Sequence, residues 1–204
     1  MTVQTAAQEQ ERVDLMRLLS TILILTTCFL GSIPLRAQTI KKWTPAEIIA
    51  KAKPGQWVEI DGAIQKDQSV RALEVEFRTG DFMADDWKLL AKVRAVNPAT
   101  NEFQVLSVPV KVTKDTEFED GIKSVSDIKP EMLVKLEGTY LNDGIFLAKE
   151  VEDRNKKLKT DPEFDTMLEV VGKVGQADEV KRIITVMGIQ FHITEETEGK
   201  SLIK

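Results

Sequence analysis

The sequence predicts an all-β protein of two small five-stranded barrels with short helices, one contiguous and one assembled from the N- and C-terminal fragments of the mature chain, behind an N-terminal signal helix. Three observations predict it. An uncharged apolar run ends near residue 37, two internal segments recur without gaps, and those segments alternate apolar and polar residues with the period of half-buried strands. The bulk composition agrees with a globular chain. Of 204 residues, 42% are hydrophobic and 30% charged, with Lys+Arg 28 against Asp+Glu 33 for a net charge of −5. This excludes wholesale disorder and a polytopic membrane protein, and it disfavours a nucleic-acid binder, which needs a basic footprint.

Residues 1–37 read as a signal peptide. No residue between 18 and 35 is charged; Arg17 precedes the run and the small residue Ala37 closes it before Gln38. That order of basic start, apolar middle and small terminal residue predicts export with cleavage after Ala37. Initiation at Met16 would give the segment the usual signal length. An uncleaved membrane anchor is one alternative, since the run is just long enough to span a bilayer. Lipid attachment at Cys28 is another. The chain has no cysteine after Cys28, so an oxidising compartment, periplasmic or extracellular, is tolerated without disulfides.

The mature chain repeats itself. Residues 53–76 align without gaps to residues 129–152, 76 positions on, with identities at Pro54/Pro130, Gly62/Gly138, Ala72/Ala148, Glu74/Glu150 and Glu76/Glu152 among others. Residues 91–117 align to 172–198, 81 positions on, with identities at Lys92/Lys173, Val105/Val186, Thr113/Thr194, Thr116/Thr197 and Glu117/Glu198. The second kind of segment reads as three strands: residues 93–96, 103–105 and 108–112 alternate, and the Asn97-Pro98-Ala99-Thr100-Asn101 stretch supplies a turn. The first kind reads as a hairpin, with Asn142-Asp143-Gly144 as the turn of its second copy.

Each hairpin is preceded by a short helix. Thr44-Pro45-Ala46-Glu47 has the form of a capping box with proline at the first helical position, and Ser124-Val125-Ser126-Asp127 is closed off by Pro130. The predicted organisation is therefore a helix and hairpin over 38–80, a complete unit over 89–153, a charged linker over 154–166, and three strands over 167–204. Five strands with a helix between the third and fourth is the OB layout. Neither outer fragment closes a barrel alone, so the two are expected to pair with each other, either within one chain or between chains as a domain-swapped dimer.

The stretch Val-x-Val-Thr-x-x-Thr-Glu-Phe at residues 110–118, Ser-x-x-Asp-Ile-Lys-Pro at 124–130 and Ala-Lys-Glu-Val-Glu at 148–152 carry a resemblance. The middle unit resembles a recurrent exported bacterial domain of unknown function. The resemblance implies an OB-like β-barrel repeat, commonly in tandem behind a signal peptide, and implies no catalytic residue. Glu131 departs from that pattern, standing where a glycine is usual; Gly55 keeps the glycine in the first copy.

Few residues have the chemistry of a site. His192 is the only histidine and matches Lys111 on an exposed strand face, so neither a zinc site nor histidine catalysis is expected. Asp81, Asp85 and Asp86 lack calcium-loop spacing and read as a solvated loop. Glu74 with Glu76, and Glu150 with Glu152, put paired carboxylates on one strand face, where they read as its polar side rather than as a glycosidase pair. Trp57 aligns with Leu133 and reads as core. Phe82, Met83 and Trp87 form the one apolar cluster expected at the surface, a candidate partner-binding patch. No catalytic residue, metal or cofactor is expected. The predicted function is an exported, non-enzymatic binding or envelope-associated module, with a protein or envelope component as partner. The alternatives are a carboxylate- or metal-dependent hydrolase and an OB-type nucleic-acid binder. Membrane contact is expected only through an uncleaved N-terminal segment.

Overall fold

Thr44 caps helix α1 (Pro45–Lys51): its hydroxyl accepts from the Glu47 amide, and the Glu47 carboxylate accepts from the Thr44 amide at 2.8 Å. The structure is a computed structural model that describes residues 43–201; the expected signal segment lies outside the described residues. From α1 onward the chain is mostly strand: β1 (Trp57–Ile64), β2 (Val70–Phe77), β3 (Trp87–Asn97), β4 (Glu102–Val105), β5 (Val108–Glu119), β6 (Leu133–Tyr140), β7 (Phe146–Asp153), β8 (Met167–Asp178), β9 (Ile183–Val186), β10 (Ile189–His192) and β11 (Glu198–Ser201).

The pairings close into two circuits. β3, β4, β5, β7 and β6 follow one another, and β6 returns to β3. β1, β2, β10, β9 and β8 do the same, with β8 returning to β1 and β11 adding in parallel to β2. Registers correspond between circuits at the two sequence offsets. Val110 lies opposite Phe146 in one, and Phe191 lies opposite Val70 in the other; Glu117 lies opposite Glu150, and Glu198 opposite Glu74. Both hairpins have a register break at their glycine, at Asp61/Gly62 and at Glu137/Gly138.

The circuits share one sheet, where the sequence had suggested two separate barrels. β3 pairs β8 through Lys88 with Val171, Leu89 with Val170 and Leu90 with Glu169. At the 81-residue offset Leu89 faces its own counterpart and Lys88 and Leu90 each face the counterpart of the other, so the joint is self-complementary in the manner of an isologous dimer interface. Leu89 and Val170 are fully buried at its centre. A single apolar core results, and its buried residues all fall between Ile48 and Ile193.

The structure adds detail at three places. Residues 125–127 form one 3-10 turn and not an α-helix, because Pro130 disfavours helical backbone at the residue before it and leaves room for a single turn. The charged linker is partly ordered, with helix α2 (Asn155–Thr160) and a 3-10 turn at Pro162–Asp165 whose Asp165 meets Lys92 at 2.5 Å. The C-terminal fragment has four strands, not three. The segment that forms the end of the long strand β5 in one circuit forms the separate strand β11 in the other.

Candidate functional site

Trp57 opens β1 and Trp87 opens β3, and the joint between the circuits brings their rings to 5.1 Å. Phe82, from the loop between β2 and β3, stacks on Trp57 at 4.7 Å, and Tyr140 at the end of β6 continues the row 5.5 Å from Trp87. Lys173 lies over the Trp57 ring, 5.5 Å from its centroid. Trp87 fits because β8 carries Gly172 beside it: a Cβ there would come within 2.6 Å of the indole.

This geometry separates the three residues expected at the surface. Trp87 is only 9% exposed, because the glycine gap admits it to the core. Phe82 is half-buried on Trp57. Met83 is 68% exposed at the loop tip, where its amide donates to Asp86 Oδ2 at 2.5 Å. Trp57 is 8% exposed.

The same loop walls a shallow pocket of about 260 Å³ over the joint, lined by Arg78, Thr79, Gly80, Asp81, Phe82, Asp86, Lys88 and Val171. Its cations are engaged. Arg78 reaches Glu59 at 2.8 Å and Glu76 at 3.1 Å, and Lys88 reaches Glu137 at 2.8 Å. The three loop aspartates do not converge on a common point. Asp81 and Asp86 line the pocket, whereas Asp85 bonds Lys149 at 2.7 Å; that bond holds the Asp85 carboxyl below its usual range and the Lys149 ammonium above its own.

His192 sits half-buried on β10 opposite Arg71 of β2. Glu150 and Glu152 do share a strand face, and the parallel pairing of β5 with β7 adds Glu119, so that carboxylate oxygens of the three lie within 4.8 Å of one another. Glu152 is already occupied, by Arg154 at 2.5 Å and Lys135 at 3.6 Å. Burial, followed by Glu137 and Glu119, raises the Glu150 carboxyl above its usual range. Sequence spacing does not reveal Glu119, because its position depends on which strand lies beside β7.

The chain matches a domain of unknown function, DUF5666, over residues 37–76 and 92–152. The two DUF5666 segments end at Glu76 and Glu152, counterparts in the two hairpins, and the match spans β1, β4 to β6 and most of β2, β3 and β7. No curated protein and no solved structure matches the chain.

Proposed function

We propose that this chain is an exported, non-enzymatic binding module of the bacterial envelope, built of two OB-like barrels fused through one sheet, with the Phe82–Met83 loop as its contact surface. The carrying observation is Met83: a largely exposed apolar side chain next in sequence to Phe82, which stacks on Trp57 and through it on Trp87. Apolar residues presented on a rigid aromatic base are favourable anchors for a partner. The OB reading rests on the closed order of five strands, with the 3-10 turn between β5 and β6 and α1 ahead of β1.

Binding is favoured over hydrolysis because the pocket cations are neutralised by Glu59, Glu76 and Glu137, and the carboxyl raised to about 6, Asp61, is not among the pocket's lining residues. It is favoured over single-strand recognition because Trp57 and Trp87 are buried, whereas stacking platforms expose their rings. Export rests on the apolar run at residues 18–35; among the described residues, no helix is long and apolar enough to cross a membrane.

The test is a thermal-shift panel on residues 38–204, which hold the whole core, against divalent cations, glycans, oligonucleotides and envelope-lipid vesicles. A ligand at a hundredfold excess over its Kd stabilises by about 2.7 kcal/mol, a shift of a few degrees. The expected result is one responding class whose shift disappears in Met83→Asp while the ligand-free Tm stays unchanged. A shift indifferent to Met83→Asp, or turnover of any panel member, overturns the reading.

A further inference from the structure

The two circuits carry opposite electrostatics at the same seam. Where β3 meets β6, Lys88 stands opposite Glu137 and forms an ion pair with it. The counterpart seam joins β1 to β8, and there Asp61 stands opposite Glu169. Asp61 is the counterpart of Glu137, and Glu169 of Lys88. One reversal of charge has replaced an ion pair with two facing carboxylates.

The acidic row continues outward. Asp61 has Glu74 of β2 on its other side, and Glu74 has Glu198 of β11, so four carboxylates follow one another across β11, β2, β1 and β8. In the adjoining row stand Glu59 of β1, Glu76 of β2 and Lys200 of β11. Arg78 holds Glu59 and Glu76, and Lys200 reaches Glu74 at 2.5 Å. Among the described residues, no cation lies within 4 Å of Asp61 or Glu169. Like charges directly opposed across an antiparallel pair weaken that pairing. Burial first, then Glu169, Glu59 and Glu74, push the Asp61 carboxyl up to about 6, against the pull of Lys200, and Glu59 is raised as well.

This seam is also where the hairpin of residues 57–77 meets the strands of residues 167–201. β1 belongs to the N-terminal hairpin and β8 to the C-terminal strands, and the sheet contacts that seat the hairpin are those of β1 with β8 and of β2 with β10 and β11. We propose that the β1–β8 seam is a pH-responsive latch, which seats the hairpin of residues 57–77 firmly in acidic medium and loosens it as the pH rises to neutrality. In acid, Asp61 is neutral and faces Glu169 without repulsion. The folded state holds that proton more tightly than the unfolded chain does, so the stabilisation is present in acid and is lost as the pH rises through about 6.

The experiment is hydrogen exchange on residues 38–204 at about pH 5 and about pH 7.5, read as protection factors corrected for intrinsic exchange. The expected result is a loss of about tenfold in protection for β1 and β8 amides at the higher pH, with β3 and β6 amides unchanged. Asp61→Asn and Glu169→Lys, the second restoring the Lys88 arrangement, should each remove the difference, and Lys88→Glu should create a second one at the β3–β6 seam while the first persists. Histidine ionises in the same range, so the series is repeated in His192→Gln. Equal protection at both pH values overturns the proposal. So does a response that survives both seam variants, or one that disappears only with His192.

Discussion

Thr197 Oγ1 donates a 2.8 Å hydrogen bond to the carbonyl oxygen of Ala72, joining residues 125 positions apart in the chain. The same hydroxyl accepts from the Thr194 amide at 2.9 Å. In the other circuit Thr116 Oγ1 donates to Ala148 O at 2.6 Å and accepts from the Thr113 amide at 3.0 Å. Each hydroxyl bridges a place where the parallel strand pairing is interrupted, between Val112 and Glu117 in one circuit and between His192 and Glu198 in the other. Both threonines are buried. Replacing either by valine leaves a buried carbonyl and a buried amide without their partner, so Thr197→Val and Thr116→Val should each cost about 1–3 kcal/mol in urea denaturation. Serine at either site should cost much less.

The two hairpin glycines differ in what surrounds them, and their alanine variants should differ accordingly. A Cβ at Gly138 would fall against the Leu147 carbonyl oxygen, well inside contact distance, whereas at Gly62 the nearest atom is a Val70 methyl at 2.9 Å. Backbone cannot yield as a side chain can. Gly138→Ala should destabilise by about 3 kcal/mol or more, and Gly62→Ala by clearly less, in parallel denaturant titrations. Equal losses would mean that the bulges do not match the described geometry.

Glu131 has φ +69°, in the left-handed region, and its counterpart Gly55 has φ +83°. Left-handed backbone costs a non-glycine residue about 1–2 kcal/mol, of which a glycine returns part through its freer unfolded state. Among the described residues the only ion pair Glu131 makes is a 3.4 Å contact to Lys92 from a largely exposed side chain, which contributes little. Glu131→Gly should therefore raise stability by up to about 1 kcal/mol, while Gly55→Ala should lower it by about 1 kcal/mol. Calorimetry of the pair reads both signs.

Stability should peak on the acid side of neutrality. Glu59, Asp61 and Glu150 are raised by burial, so the folded chain binds their protons more tightly and loses stability as the pH climbs, through about 6 for Asp61. Asp67, held low by bonds from Ser69, and Asp85, held low by Lys149, act in the opposite sense, and their contribution is lost as the pH falls below the ordinary carboxylate range. A Tm-against-pH profile should have its maximum near pH 5, and Asp61→Asn should flatten its alkaline side. An unchanged profile in Asp61→Asn would contradict the assignment.

What could be read in the sequence was whatever recurs or alternates along the chain. The alternation at residues 108–112 marks β5, the identity Gly62/Gly138 marks the two bulges, and Thr113/Thr194 with Thr116/Thr197 mark the hydroxyl bridges. What could not be read depends on which strands become neighbours. Trp87 is buried only because Gly172 arrives beside it across the β3–β8 joint. Glu119 joins Glu150 and Glu152 only through parallel pairing, and Asp61 meets Glu169 only because β1 pairs with β8. Periodicity gives the face of a residue, not the strand next to it.

The pairing of β1 with β8 underlies all of this, and a nuclear Overhauser experiment on residues 38–204 tests it most directly. In uniformly labelled protein, cross-strand contacts should appear between Glu59 and Val171 and between Asp61 and Glu169. In a refolded mixture of labelled and unlabelled chains, filtered for contacts between molecules, the same pairs should be silent. Contacts seen only in the filtered mixture would show that the fragments are exchanged between chains, and their absence from both samples would show that the second circuit does not close.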